Sequence, residues 1–77
     1  GKMTPGQCRA ARGLLGLSQG DVAQKANVGR RTLADFENGA RRPYSRTLRD
    51  IRDVLEEAGV VFLEESQNHG VGVCLRK

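Results

Sequence analysis

Two adjacent arginines and an aspartate four residues after the second are the residues of this sequence best suited to contact a partner chemically. Arg30 and Arg31 open a segment with helical apolar spacing, and Asp35 lies one turn after Arg31. A guanidinium can donate two parallel hydrogen bonds to O6 and N7 of guanine, or to a phosphate. Asp35 could hold Arg31 in one rotamer, accept from cytosine N4, or form only a weak surface ion pair. These residue types favour contact with a nucleic acid, through base edges or through phosphates.

The place of the two arginines within their helix supports the same interpretation. In a helix over 30–38 both lie in the first turn, where the helix dipole disfavours each cation by about 0.3 to 1 kcal/mol. A negatively charged partner would offset that cost. Where a short helix follows another across a tight turn, its N-terminal residues can meet base edges in the major groove. We therefore expect base contacts from Arg30, Arg31 and Asp35.

A second group of polar residues is placed to contact a phosphate backbone. Ser18 and Gln19 open the preceding helix, whose first N–H groups can bind anions. Ser18 would cap a helix in any protein, whereas helix formation does not require the amide of Gln19. Arg41 and Arg42 could follow the backbone or enter the minor groove, and Thr32 could touch a phosphate or a thymine methyl. The expected backbone contacts are Ser18, Gln19, Thr32, Arg41 and Arg42.

Three capping signals, together with apolar spacing, divide the first 58 residues into four helices. Thr4 and Gln7 have the spacing of a capping box. Ser18 and Asp21 have it too, and Ser45 is expected to cap the last helix. The predicted helices span about 5–15, 19–26, 30–38 and 45–58. Because only a short turn joins the second helix to the third, these two form a helix-turn-helix unit.

After Gly59 the apolar pattern changes from helical to alternating. The segment 60–63 is β-prone, and apolar residues alternate over 71–75, which predicts a C-terminal β-hairpin. We expect the hairpin to pair with its copy in a dimer, because an isolated hairpin is marginal in water and its open edge invites association. In the alternative, the hairpin packs only on its own bundle. The expected dimer-interface residues are Val61, Leu63, Val71, Val73 and Leu75.

The expected fold is mainly α, a four-helix bundle over 4–58 followed by the hairpin over 59–77. A chain of 77 residues has room for one core, so both parts belong to one folded unit. Residues 1–52 carry eleven Lys and Arg against four Asp and Glu, a net of +7, and residues 53–77 carry two against five, a net of −3. A basic N-terminal part and an acidic C-terminal part are expected if one face of the protein meets a polyanion.

Metal, enzyme and membrane functions find no support in the residue types. Cys8, Cys74 and the single histidine, His69, lack the spacing of a metal site, and we expect no metal or cofactor. Without a histidine beside a nucleophile or a glycine-rich phosphate loop, we expect no enzyme. No apolar run approaches the roughly 18 residues of a membrane span, and we expect no signal segment, since the residues before the first helix lack the charged-then-apolar pattern. We therefore expect a cytoplasmic, nucleoid-associated protein.

The residues over 4–58 resemble the phage-repressor type (XRE, Cro/cI-like) family of helix-turn-helix regulators. The segments that match are Leu17-Ser18-Gln19, Asp21-Val22-Ala23, Val28, Thr32-Leu33, Phe36-Glu37-Asn38-Gly39 and Arg42-Pro43. The resemblance implies a lambda-repressor-like bundle whose third helix enters the major groove, and dimeric binding to a palindromic operator in double-stranded DNA. It places base contacts at Arg30, Arg31 and Asp35 and a phosphate contact at Gln19. The chain differs from the family after Ala58, where a fifth helix is common.

The expected function is therefore that of a prokaryotic or phage transcription regulator, a repressor that acts as a homodimer. The alternative is the antitoxin of a toxin-antitoxin pair that regulates its own promoter. Inside the bundle, Arg12 shares the apolar face of the first helix with Cys8 and Leu15, and Glu37 follows the core residue Phe36. We expect Arg12 and Glu37 to form a buried or half-buried ion pair between the first and third helices, and the resemblance points to the same pair.

Overall fold

Four helices and a two-stranded sheet follow one another along the chain, and the computed structural model describes them over residues 2–77. The elements are α1 (Pro5–Leu15), α2 (Gln19–Ala26), α3 (Arg30–Glu37), α4 (Ser45–Glu57), β1 (Val60–Leu63) and β2 (Gly72–Leu75). The expected fold, mainly helical with a C-terminal hairpin, is confirmed. Predicted and observed bounds differ by at most one residue, which is the ordinary variation of helix and strand ends.

Reciprocal hydrogen bonds start α1 and α2. Thr4 Oγ1 accepts from the N–H of Gln7 at 3.0 Å, and Gln7 Oε1 accepts from the N–H of Thr4 at 2.9 Å. Ser18 and Asp21 exchange the same two bonds, both at 3.0 Å. Each box satisfies two N–H groups that have no partner within the helix, so both helices begin at defined residues.

The other two helices start without a side-chain cap. Gly29 precedes α3 and has no side chain to offer. Tyr44 occupies the N-cap position of α4, and its side chain makes no capping hydrogen bond. The expectation that Ser45 caps α4 is wrong, because Ser45 already belongs to the first helical turn and a side chain caps from the extended residue before it.

The core lies between the four helices and the inner face of the hairpin. Leu33 and Phe36 of α3 belong to the same buried cluster as Ile51 and Leu55 of α4, and all four are at most 1% exposed. Burying a side chain of this size stabilises the fold by about 1.5 to 3 kcal/mol. The other buried apolar residues are Met3, Cys8, Ala11, Val22, Ala23, Ala26, Leu48, Val60 and Phe62.

The hairpin has one covered face and one exposed face. Val60 pairs with Leu75 and Phe62 with Val73, and opposed residues of an antiparallel pair project to the same side. Val60 and Phe62 are buried against the helices, so this side is the inner face. The outer face carries Val61, Leu63 and Cys74.

Polar contacts attach the hairpin to the bundle. Gln7 Nε2 donates to the carbonyls of Gly72 at 3.0 Å and Leu63 at 3.4 Å, which joins α1 to both strands. The guanidinium of Arg52 in α4 lies over the Phe62 ring, 4.7 Å from its centroid. These contacts hold the hairpin in one orientation on the bundle.

Candidate nucleic-acid interface

The exposed face of α3 presents the two arginines singled out in the sequence. Arg30 is exposed, and the Arg31 side chain is 92% exposed. Arg31 Nε lies 3.5 Å from Asp35 Oδ1, one turn further along the helix. An exposed ion pair of this kind adds little stability, so its effect is to limit the rotamers of Arg31 while both side chains stay accessible.

The start of α3 concentrates positive charge. Arg30 and Arg31 lie in its first turn, that turn holds no acidic residue, and the N-cap Gly29 supplies no side-chain acceptor. The first N–H groups of the helix therefore add to the charge of the two guanidinium groups. Thr32, half-buried in the same turn, places a hydroxyl beside them. This end of α3 is suited to bind an anionic surface.

The start of α2 offers a second set of donors. The capping box uses the N–H groups of Ser18 and Asp21. The pKa of Asp21 is held below its usual value, mainly by the hydrogen bond from the backbone N–H of Ser18 and then by that from its side chain. The N–H groups of Gln19 and Gly20 lie in the first turn, where an α-helix provides no acceptor. Ser18 Oγ accepts from Asp21, which leaves its own proton to donate outward. A phosphate oxygen can therefore be bound at this turn.

The amide of Gln19 has a partner inside the protein that the sequence did not reveal. Its Nε2 donates to Glu37 Oε1 at 3.0 Å, and the residue is half-buried. An amide nitrogen has two protons, so one stays available for an outside acceptor while the other fixes the side chain. Gln19 is thus held at the start of α2 by a carboxylate of α3.

Glu37 is the centre of a polar network that joins three helices. Its side chain is 1% exposed and accepts from Arg12 Nη2 at 2.6 Å and from Arg12 Nε at 2.7 Å. Cys8 Sγ donates to Glu37 Oε2 at 3.2 Å, and Arg9 donates to the Glu37 backbone carbonyl. The structure thus brings Arg12 and Glu37 together as a two-point ion pair, and adds Gln19, Cys8 and Arg9 around it.

The charge states of this network follow from its hydrogen bonds. Burial by itself would raise the pKa of Glu37, but hydrogen bonds from Arg12, Gln19 and Cys8 outweigh it and hold the pKa below its usual value. The hydrogen bond to Glu37 raises the pKa of Arg12. Burial, together with the bond to Glu37, raises the pKa of the Cys8 thiol well above its usual range. The pair is therefore ionised and the thiol protonated at neutral pH.

Sequence reasoning missed Cys8, Arg9 and the internal role of Gln19. One signal for Cys8 was available, since it lies one turn before Arg12 on the same face of α1. The contact with Gln19 had no signal, because it depends on how closely the start of α2 approaches the end of α3. Arg12 Nη1 also donates to the Leu17 carbonyl at 3.1 Å, which fixes the turn between α1 and α2.

The two arginines after α3 differ in their surroundings. Arg41 is exposed in the loop. Arg42 lies with its guanidinium 5.7 Å from the centroid of the Phe36 ring, and its Nη2 donates to the Met3 carbonyl at 3.4 Å. Arg42 is thus oriented by the bundle, whereas Arg41 extends from it.

The five residues expected at a dimer interface do not share one face of the hairpin. Val61 and Leu63, each 36% exposed, lie on the outer face. Val73 and the 47% exposed Leu75 belong to the inner side, and Val71 precedes β2. The outer face of the hairpin therefore carries only two of the five residues, Val61 and Leu63.

Within residues 2–77 no group of three His, Cys, Asp or Glu side chains could hold a metal ion. In the same range no helix has the length and apolar character to cross a membrane. Cys8 is a buried free thiol and Cys74 an exposed one.

Two short helices joined by a tight turn, with arginines on the exposed start of the second, define a helix-turn-helix DNA-binding domain. A family model described as Helix-turn-helix matches residues 9–58, more than half of the chain. The chain therefore belongs to this family of DNA-binding regulators, the XRE type, and the resemblance noted in its sequence is confirmed. None of the curated proteins matches the chain.

Proposed function

We propose that this chain is a dimeric transcriptional repressor that binds a palindromic operator with α3 in the major groove. The observation that carries the proposal is the exposure of Arg30 and Arg31 at the start of a helix that Glu37 fixes to α1 and α2. A rigid support matters, because a base-reading side chain must keep its position to within a fraction of an ångström. A dimer that covers its operator excludes other proteins from the promoter. The proposed location of the protein is the nucleoid.

Arg30, Arg31 and Asp35 are the proposed base contacts. Each arginine can donate two hydrogen bonds to a guanine, and each such pair discriminates against another base by about 1 to 3 kcal/mol. Asp35, close to Arg31, limits the direction in which that guanidinium donates. Asp35 can also accept from a cytosine amino group, as a carboxylate in the major groove does.

The phosphate backbone is proposed to contact residues on either side of α3. Ser18 and Gln19 bind from the start of α2, with the amide of Gln19 oriented by Glu37. Thr32 donates from the first turn of α3. Arg41 and Arg42 bind from the loop that follows, Arg42 with its guanidinium supported by Phe36. Backbone contacts of this kind fix the register of the protein on DNA and carry no sequence information themselves.

The open edge of β2 is the proposed dimer contact. Arg76 N–H donates to the Gly59 carbonyl at 2.8 Å, and hydrogen-bonded pairs alternate with non-hydrogen-bonded pairs in an antiparallel ladder. Val73 and Leu75 therefore direct their N–H and C=O groups away from β1. Pairing of these groups with the same groups of a second copy gives a two-fold, self-complementary contact. Val61, Leu63 and Val71 then border the joined sheet.

Selection of bound duplexes from a random DNA pool tests the proposed function. We expect a palindromic motif whose half-sites have centres about 10 base pairs, or one helical turn, apart. Parallel selection with an Arg30→Ala, Arg31→Ala double variant controls for enrichment that does not depend on α3. Equal motifs from the two proteins, or a motif without two-fold symmetry, would contradict the proposal.

A further inference from the structure

A basic cavity lies where the N-terminal segment, the loop after α3 and the start of α4 meet. Its volume is about 270 Å³, and Met3 and Leu48 form the apolar part of its wall. The rest of its lining consists of Ser45 and four cationic residues, Lys2, Arg42, Arg49 and Arg52. None of the lining residues carries a carboxylate, so the cavity gathers positive charge in a partly enclosed space.

Contacts within the protein balance this charge only in part. Arg52 shares its charge with Glu56, whose Oε2 lies 3.3 Å from Arg52 Nε. Arg42 is bound to the neutral Met3 carbonyl and the Phe36 ring. Within residues 2–77, no carboxylate lies within 4.0 Å of a cationic nitrogen of Lys2, Arg42 or Arg49. Cations this close repel one another, and an anion between them would remove the repulsion.

The walls of the cavity also determine which anion fits. The guanidinium groups of Arg42 and Arg52 each lie over an aromatic ring, and a guanidinium favours an oxyanion that can accept paired hydrogen bonds. Ser45 adds a hydroxyl donor and opens α4, whose first turn contains no acidic residue and has no side-chain cap. A tetrahedral oxyanion with several acceptor oxygens matches these donors better than a halide or a single carboxylate.

We propose that this cavity binds a phosphate group. The group can come from a nucleotide of bound DNA next to the loop that carries Arg41 and Arg42, or from a free phosphorylated small molecule. The first source rests on the proposed function, whereas the second does not depend on it. The side chain of Arg49, like that of Lys2, makes no hydrogen bond or ion pair within residues 2–77, so its charge is available to the ligand.

Titration with inorganic phosphate at constant ionic strength tests the site without DNA. In nitrogen–proton NMR spectra of the whole chain, the Nε–H signals of Arg49 and Arg52 and the amide of Ser45 should shift and saturate. Arg49→Gln should weaken binding about tenfold, the effect of one charge-assisted hydrogen bond. The matched control is Arg46→Gln on the same helix, an exposed residue outside the cavity lining, which should leave the affinity unchanged.

The salt dependence of DNA binding separates the two sources. If the phosphate belongs to DNA, Arg49→Gln should reduce the slope of log K against log salt by about one phosphate contact, and Arg46→Gln should not. Phosphate binding with an unchanged slope supports a free phosphorylated ligand. The inference is overturned if the parent chain does not bind phosphate and Arg49→Gln leaves the salt dependence of DNA binding unchanged. Loss of sequence preference in Arg31→Ala is independent of all these outcomes, so the proposed function can fail or stand separately.

Discussion

At the scale of single residues, five arginines differ in whether their side chains extend into solvent or make hydrogen bonds within the bundle. Arg30, Arg31 and Arg41 extend into solvent, so their free energy of interaction is available to a partner. Arg12 and Arg42 make hydrogen bonds within the bundle, and Arg12 in particular neutralises a buried carboxylate. Substitutions of the three exposed arginines should change binding with little effect on stability, whereas a substitution of Arg12 should lower the stability of the fold.

Replacement of Arg31 by alanine tests base reading. We expect the variant to lose about 1 to 3 kcal/mol on its best operator and to lose preference at one base position, because a bidentate contact is removed. Arg41→Ala should weaken all sequences alike and flatten the salt dependence. Binding isotherms on the selected operator and on random duplexes measure both. Equal losses on the two duplexes for Arg31→Ala would show that Arg31 contacts phosphate instead.

Replacement of Arg12 by alanine tests the buried ion pair. Glu37 would stay buried, at 1% exposure, without its main counter-charge. A buried charge without its partner lowers the free energy of unfolding by about 3 kcal/mol or more. Urea unfolding measures the loss. Arg46→Ala, at an exposed position of α4, is the control and should stay within about 0.5 kcal/mol of the parent. A loss under about 0.5 kcal/mol for Arg12→Ala would reject the pair as a source of stability.

The pH dependence of unfolding should report Glu37 directly. Its pKa is lowered by folding, so its contribution to stability is complete above the unfolded pKa of about 4.3 and is lost as the pH falls through the folded pKa. The difference in free energy of unfolding between the parent and Glu37→Gln should therefore shrink below about pH 4. The pKa of Asp21 is also lowered by folding, but Asp21 is present in both proteins, so its contribution cancels in the difference. A difference that stays constant from pH 7 to pH 3 would contradict this.

At the scale of elements, α3 has an uncapped start that the protein keeps open toward the proposed DNA surface. Gly29 has φ −67° and ψ 139°, an extended conformation that any residue adopts. A Cβ atom there would lie 3.5 Å from Thr32 Oγ1, an ordinary contact distance. A capping side chain is therefore sterically allowed, and the glycine leaves the first N–H groups of α3 free for an outside acceptor.

Two substitutions at Gly29 should separate stability from binding. Gly29→Ser and Gly29→Asp should each stabilise the fold by about 0.5 to 1 kcal/mol, through the cap and through the smaller entropy of the unfolded chain. Gly29→Asp should also weaken DNA binding, since a carboxylate about 4 Å from a phosphate costs roughly 1 kcal/mol in water. Thermal unfolding and binding isotherms measure the two effects. Equal DNA affinities for the two variants would place the phosphates away from this turn.

Local patterns predicted the elements well because each depends on a few neighbouring residues. Capping boxes and a change of apolar period define α1, α2 and the hairpin within the span of a turn or two. Ser45 was misassigned because two adjacent residues compete for one N-cap position, and the extended backbone at Tyr44 decides between them. The bond from Gln19 to Glu37 and the basic cavity could not be predicted, since each joins residues 18 or more positions apart.

At the scale of the whole molecule, we propose that the hairpin sets how many copies act together. β2 is the less covered strand, with two half-buried and two exposed residues, whereas β1 contributes Val60 and Phe62 to the core. If two copies join along β2, their α3 helices should lie about 34 Å apart, which matches one turn of DNA. The stability of the monomer and the affinity for a palindrome would then depend on different strands of one hairpin.

Replacement of Leu75 by proline tests the proposed dimer. Proline removes an N–H that points to the open edge and leaves the internal ladder intact, so it is tolerated on an edge strand. We expect the dimer dissociation constant to rise at least about tenfold, the equivalent of 1.4 kcal/mol. Leu75→Val is the matched control, and sedimentation equilibrium at micromolar concentration is the measurement. A folded Leu75→Pro protein that dimerises as well as Leu75→Val would refute edge pairing.

The attachment of Glu37 to three helices has a consequence for how such a domain changes over generations. Its network uses one surface of α3, and the residues proposed to read DNA occupy the other, so mutations at Arg30, Arg31 or Asp35 disturb no internal bond of the Glu37 cluster. A duplicated gene could therefore drift toward a new operator by exchanging three surface side chains. A mutation at Glu37 or Arg12 would instead expose the product to proteases before selection could act on its target.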